Sequence, residues 1–483
     1  MLKHRPNYAI MGALMPPYRL SCASCGFEAS EDWVSGACPK CGGFLEYSFE
    51  EDYLKTVEFS GPFTFWRYRP ILPKVSEPIS LGEGGTPLHE ARRLGEALGL
   101  DRLFLKDETR NPTSSFKDRS ASLIISDAAG KGFDAVVCAT NGNHGASLAA
   151  YSAKVDVACH LIVPRALDLG KLAQMMVYDA HVEEAGSSIE DAITRSVTLA
   201  KETGWYQATT ELNPLAVEAL KTISFELAEQ GPVPDWMIVA MGSGATIHAV
   251  WKGFKELEVM GVIDEKPRLV GVQAAGCPPI AEAFKLGEER PVSVDRAATE
   301  ATAIRVASPI YGAAALKALR ESGGLSVSVT DEEMLAAERE IARSEGIYAE
   351  PASAATVACL ERLVESGEMD RGDSVVSLIT SSGLKTDDIL RSLSGRRRSP
   401  GLGSRLATKE RILRTIERRR TYGYDLWNSM GREMTLGAIY QHLSDLEKRG
   451  LITSYTEGKR RYLKITERGR RVLAALDDLR ILL

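Results

Sequence analysis

No stretch of the 483-residue sequence approaches the ~18 consecutive apolar residues that a spanning helix requires, so a membrane-embedded role is excluded and no membrane partner is expected. An export signal is wanting as well: the N-terminal MLKHRPNYAIMGALMPPYRL holds only a short apolar run, broken before Pro16 and Pro17, with no clear cleavage site. A cytoplasmic location is the expectation. Cysteine is scarce, eight residues in all, and four of these fall in one short pattern. What is present is the mix of a soluble globular chain, 44% apolar and 26% charged, with length for roughly three domains of about 150 residues each.

The net charge of -6 conceals two opposite parts. Residues 394–483 carry 21 Lys+Arg against 10 Asp+Glu, whereas residues 1–393 carry 38 against 55. An acidic body with a basic appendage suggests that the appendage meets nucleic acid. Between them, residues 394–404 are rich in Gly, Ser and Arg, as an exposed linker would be. The expected organisation is therefore a small N-terminal module over 18–48, a body over 49–393, the linker 394–404 and a basic domain over 405–483.

The N-terminal module rests on Cys22, Cys25, Cys38 and Cys41, two CxxC knuckles with Gly26, Pro39, Gly42 and Gly43 to turn the chain. Four thiolates so spaced can close a tetrahedron around Zn2+ and leave no open position, which points to a structural zinc ribbon. Cys138, Cys159 and Cys359 stand in apolar runs, as core residues do.

Over residues 100–390, short β-rich runs (135–140, 155–163, 236–241, 268–274, 373–380) alternate with helical stretches such as 120–129, 146–153 and 213–229. This is the pattern of an α/β fold with a mainly parallel sheet, in which ligands collect at the carboxyl ends of strands. Three loops there carry chemistry. In Asn111-Pro-Thr-Ser-Ser-Phe-Lys-Asp-Arg119, Lys117 falls near a helix start, where the positive end of the dipole favours its neutral amine. Thr140-Asn-Gly-Asn-His-Gly145 turns from strand to helix with small residues that let a ligand approach. Gly242-Ser-Gly-Ala-Thr246 opens a helix with several N–H groups that suit a phosphate, without the spacing of a dinucleotide fingerprint or a Walker loop.

Together these loops resemble threonine synthase, of the tryptophan-synthase-β-like, fold type II group of pyridoxal-phosphate (PLP) enzymes. The likeness spans most of residues 18–390 and includes the zinc knuckles that many archaeal-type members carry, Leu81-Gly-Glu-Gly-Gly-Thr-Pro-Leu88, the Lys117 loop, Ala303-Ile-Arg305, Glu350-Pro-Ala-Ser-Ala354 and Thr380-x-x-Gly-Leu-Lys385. The resemblance implies that Lys117, with Phe116 before it, forms the Schiff base with PLP. It implies that Asn143 bonds the ring hydroxyl, that Gly242, Ser243, Gly244, Ala245 and Thr246 hold the phosphate, and that the Thr380 hydroxyl faces the ring nitrogen. Thr140, Asn141, Thr210 and Lys221 are the candidate substrate contacts. The implied reaction makes threonine and phosphate from O-phosphohomoserine and water. Two departures bear on substrate choice. Thr210-Glu-Leu-Asn-Pro-Leu-Ala216 replaces the family's Asn-Ser-x-Asn-Pro-x-Arg, exchanging a phosphate-binding arginine for Ala216 and adding Glu211; Lys221 and Lys385 could compensate. Elimination, dehydration or replacement on another amino acid, or a PLP-binding regulator, are the alternatives.

The basic tail reads as three helices (408–419, 422–429, 435–449) and a hairpin over 451–465 with its tip at Glu457-Gly-Lys-Arg-Arg461, a winged helix. Tyr422-Gly-Tyr-Asp-Leu and Leu436-Gly-Ala-Ile-Tyr resemble PadR-type transcription regulators. Thr435, Tyr440, Gln441 and Ser444 are candidates for groove contacts with double-stranded DNA, and Lys459, Arg460 and Arg461 for phosphate contacts. A following helix, 468–482, places Val472, Leu473, Leu476 and Leu479 at helical spacing to pair two chains as a homodimer.

Overall fold

The computed structural model describes residues 17–30, 33, 38–165, 167–386, 402–430, 435–458 and 460–473. The chain forms two compact units, Met1–Ser392 and Leu393–Leu483.

The first unit begins with an antiparallel three-stranded sheet, β1 (Tyr18–Cys22), β2 (Glu28–Ala29) and β3 (Leu45–Phe49), ordered β2-β1-β3. Gly26 and Gly42 turn its knuckles with φ of 69° and 72°, which L side chains rarely adopt. Leu20, Leu45 and Tyr47 belong to the same buried cluster as Leu123 and Leu148, so the ribbon is packed onto the body and shares its core.

Two sheets build that body. The larger contains β4 (Leu88–Glu90), β5 (Arg102–Asp107), β10 (Trp236–Ala240), β11 (Arg268–Ala274), β12 (Leu325–Val329) and β13 (Ser374–Ile379), in the order β12-β11-β10-β13-β5-β4. All its pairs are parallel except the edge strand β4. The smaller contains β6 (Ala135–Ala139), β7 (Ala158–Val163), β8 (His181–Glu184) and β9 (Tyr206–Gln207), wholly parallel, in the order β8-β7-β6-β9. Strands β6, β10 and β13 are buried along their whole length, because helices cover both faces; their sequences are accordingly unbroken apolar or small-residue runs.

The helices that matter to the site start where strands end. They are α1 (Lys117–Gly130), α2 (Asn143–Lys154) after β6, α3 (Ile189–Thr203), α4 (Leu215–Gln230), α5 (Ala245–Val259) after β10, and α6 (Pro351–Ala358). A Ser188/Asp191 capping box fixes the start of α3. Strand β5 escaped the sequence reading because Lys106 and Asp107 break its apolar pattern. In the fold both are buried, and Lys106 Nζ donates to Glu226 at 2.7 Å.

In the second unit, α7 (Leu402–Arg418), β14 (Thr421–Tyr422), α8 (Gly423–Ser429), α9 (Leu436–Lys448), β15 (Ile452–Glu457) and β16 (Arg460–Ile465) form the winged helix, with sheet order β14-β16-β15. Ile412, Leu426, Ile439, Leu443 and Ile465 make its core. Residues 467–473 are helical, and Leu473 is buried in that same core, which corrects the expectation that it pairs two chains; Leu476 and Leu479 lie outside the described residues. Among the described residues, no helix is long and apolar enough to cross a membrane.

Candidate active site

The carboxyl ends of β6 and β10 and the segments before α1 and α6 meet in one cavity. Its lining includes Phe116, Lys117, Thr140, Asn141, Asn143, Thr210, Gly242, Ser243, Gly244, Thr246 and Thr380. The three loops singled out in the sequence thus converge, although the first, ending at Arg119, and the third, starting at Gly242, lie far apart in the chain.

Lys117 is the first residue of α1. Its ammonium lies 4.8 Å from the Phe116 ring centre and, among the described residues, has no hydrogen-bond or carboxylate partner in contact. Burial pushes its pKa below the ordinary lysine value, an effect that the more distant Glu211 carboxylate opposes. A free, easily deprotonated amine in a cavity is a nucleophile in waiting.

In the same cavity, the loop before α5 is shaped for an anion. Gly244 has φ of 90°, and a Cβ there would lie 2.8 Å from Tyr311 O, so no side chain fits. The Tyr311 amide donates to Ser243 O at 3.0 Å and fixes the turn. The first turn of the 15-residue α5 holds no acidic residue and no side-chain cap, which leaves its amides open to a phosphate. Ala245 contributes backbone alone, since its methyl is buried in the core.

On the remaining walls, Asn143 Nδ2 donates to both Glu350 oxygens at 3.0 Å, and Asn143 Oδ1 accepts from Ser381 Oγ at 3.2 Å. The Thr380 and Ser353 hydroxyls lie 2.8 Å apart. His144 Nε2 meets Ala208 O at 2.9 Å, which places the proton on that nitrogen; Nδ1 is buried and has no partner among the described residues. Burial and the nearby Lys117 charge lower the His144 pKa to about 3, so the ring is neutral. Glu350 is itself held by Lys171, 3.4 Å away, which also pairs with Asp168 at 2.8 Å.

A pyridoxal-phosphate-dependent enzyme model matches residues 79–381. Threonine synthase of Methanosarcina acetivorans is 40% identical over 375 residues, covering 76% of this chain and 92% of that protein. The chain belongs to the threonine synthase family. Threonine synthase of Methanocaldococcus jannaschii is 42% identical over 377 residues, 76% of this chain and 93% of its own length. Solved structures of tomato (Solanum lycopersicum) threonine deaminase isoform 2 and of maize serine racemase share the fold. Their TM-scores are 0.55 and 0.54 at 20% and 22% identity; they cover 64% and 63% of this chain, and the matches span 83% and 90% of theirs. The chain is thus a PLP-dependent lyase of the threonine synthase family, and the free amine and the glycine cradle fit that coenzyme.

Against the family's site, two expectations need correction. Lys221 does not reach the cavity: it is fully buried in α4, with Glu218 and Glu256 each 2.7 Å away. Lys385 does not reach it either, because its Nζ donates to Thr113 O at 2.9 Å. Neither replaces the cation missing at Ala216, which is itself buried. Glu211 does line the cavity, and Thr210 Oγ1 donates to it at 2.8 Å. The sequence reading gave no role to His144, Glu350 or Lys171. His144 and Glu350 sit inside quoted motifs, but Lys171 carries no local signal, since its partners are distant in the chain.

The four cysteine sulfurs of the ribbon lie within 4.8 Å of one another. Four Zn–S bonds of about 2.3 Å require sulfurs roughly 3.8 Å apart, so the cluster fits a structural zinc with no catalytic vacancy. In the second unit, a model of the PadR-like family of transcriptional regulators matches residues 412–475. The exposed face of α9 presents Tyr440, Gln441 and Ser444, while Thr435 caps the helix by accepting from Ala438 N at 3.2 Å. Arg461 is paired with Glu447 at 2.8 Å, whereas Arg460 lies 4.9 Å from the Tyr422 ring centre. Lys459 lies outside the described residues.

Proposed function

We propose that the first unit converts O-phosphohomoserine and water into threonine and inorganic phosphate, and that the second binds double-stranded DNA, the protein acting as a pair of chains. The observation that carries the catalytic part is the Lys117 amine, without a partner among the described residues, in the same cavity as the glycine cradle. Lys117 would hold the coenzyme, the amides of Gly242–Thr246 its phosphate, and Asn143 and Thr380 its ring. When bound, PLP supplies an electron sink that lets protons and groups leave the carbons of an amino acid.

The chain's own groups then have defined tasks. Lys117 Nζ, as a free amine beside the substrate, would take the proton from Cα and could return one to the side-chain carbons. Thr380, already hydrogen-bonded to Ser353, offers the ring a neutral hydroxyl and so moderates the sink. Asn143 reaches the ring by giving up one of its two bonds to Glu350. Thr140 and Asn141, at the start of α2, orient the substrate carboxylate.

Glu211 supports a second reading, lyase action on an amino acid with an uncharged hydroxyl, because a carboxylate on the cavity wall repels a dianion. Steady-state assays of the holoenzyme with O-phosphohomoserine, serine and threonine test the two. Threonine and phosphate in equal amounts support the first. A keto acid from serine or threonine, with O-phosphohomoserine inert, replaces it with the second. For the DNA part, binding that weakens steeply with salt is expected.

A further inference from the structure

A substrate phosphate is a dianion, and the cavity around Lys117 has little to offer it. Among the described residues, Lys117 is the one side chain of that lining that can carry a positive charge near neutral pH, His144 being held neutral, and it is committed to the coenzyme, as are the amides of the glycine cradle. Glu211 and Glu350 add carboxylates to the same walls.

A second cavity of about 390 Å³ adjoins the first, and Asn141 and Ile189 line both. Two guanidinium groups, those of Arg296 and Arg305, stand on its wall. Arg305 is tied to the active site by its position in the chain: Ile304 and Val306 line the main cavity, and the residue between them lines the second. This segment is held at both ends, by Thr302 Oγ1 donating to Asp168 at 2.6 Å and by Ser308 N donating to Glu190 at 2.9 Å. The latter bond occupies one of the two carboxylates that share the second cavity, and the other, Asp295, is exposed to water. Arg305 has a protein partner of its own, but five donors leave a guanidinium capacity for a phosphate as well.

We propose that Arg305, with Arg296 at the rim, forms the subsite for the distal phosphate of the substrate, a cationic contact for the dianion in a site where Ala216 offers none. The subsite rests on the reading of O-phosphohomoserine as substrate.

The test uses full-length holoenzyme carrying Arg305→Gln, Arg305→Lys or Arg296→Ala, with O-phosphohomoserine as substrate and inorganic phosphate as competing probe. Loss of one charge-assisted contact should raise KM and the phosphate inhibition constant together by roughly ten- to a hundredfold in Arg305→Gln. The effect on kcat should be much smaller, and the coenzyme absorbance should be retained. Arg305→Lys should recover part of the loss, and Arg296→Ala should show a smaller one. KM and inhibition constant both within about twofold of the unsubstituted protein overturn the subsite. If O-phosphohomoserine is not turned over at all, the substrate reading fails separately. Calorimetric binding of inorganic phosphate to the same holoenzymes then decides the subsite: binding that depends on Arg305 upholds it, and binding that does not, or none, overturns it.

Discussion

Two lysines in the same body are treated in opposite ways. Lys117 faces a cavity with no carboxylate in contact. Lys221, on α4, is wedged between Glu218 and Glu256 and lies 4.4 Å from the Phe49 ring centre of the ribbon. Around it, Lys252 pairs with Glu218 and with Glu46, 2.5 and 3.5 Å away, so α4, α5 and β3 are joined by a cluster of cations matched with carboxylates. The fold thus neutralises charge where two helices and the ribbon must stay together, and withholds neutralisation where an amine must react. Strain of this kind marks a functional group more clearly than burial does.

The largest effect should come from removing the uncompensated amine. Lys117→Ala should lose the imine absorbance of the coenzyme and lower turnover by at least ~10³-fold. Its stability should move the other way. The Lys117 pKa is lowered in the fold, so between that value and its ordinary 10.5 the unfolded chain binds more protons. Coenzyme-free protein therefore gains stability as pH rises through this window, and Lys117→Met should remove that gain and melt no lower than the parent. A variant that melts well below the parent would show that the ammonium is paired after all.

Next comes the matched lysine. Lys221→Ala leaves Glu218 and Glu256 with less positive charge in a dry interior, and breaking such a pair costs about 3–5 kcal/mol. Chemical denaturation should show this loss, while kcat per folded molecule stays near that of the parent. A fall in kcat with stability intact would return Lys221 to the substrate site.

These two lysines also show what the sequence could disclose. Lys117 was legible because its loop combines a proline turn, a helix start and a neighbouring small-residue motif, all local signals. The strands at 135–140, 236–241 and 373–380 were legible for the same reason, as unbroken runs that only a sheet covered on both faces requires. Lys221 was misplaced because its partner Glu256 lies 35 residues away, and nothing local records that pairing. Arg102–Asp107 was missed because Lys106 and Asp107 look like surface residues until Glu226, 120 residues on, supplies the countercharge. Ion pairs at long separation are what the sequence hides. The altered substrate wall, by contrast, was visible in Thr210-Glu211 and Ala216, and the structure adds that Glu211 lines the cavity.

Glu211 permits a smaller, sharper test of the same contrast. Its carboxylate opposes the fall in the Lys117 pKa. Glu211→Gln should therefore lower that pKa further. Coenzyme capture by the coenzyme-free protein, followed by absorbance, should then reach its half-maximal rate at a lower pH than in the parent. An unchanged profile would mean that Glu211 is too far away or too well solvated to act on Lys117.

The winged helix repeats the comparison at the surface, where the stakes are smallest. Arg461 is tied to Glu447, while Arg460 has only the Tyr422 ring beside it and, among the described residues, no carboxylate partner. If DNA phosphates are the missing partners, the two arginines contribute unequally. Each phosphate neutralised changes the slope of log affinity against log salt by about 0.9, because bound counterions are released. Arg460→Ala should flatten the slope by about that amount. Arg461→Ala should do less, because a phosphate must first compete with Glu447 for the guanidinium. Equal slopes for both variants would mean that the Glu447 pair opens without cost on binding, and the distinction between matched and unmatched cations would then hold in the enzyme body but not at the DNA surface.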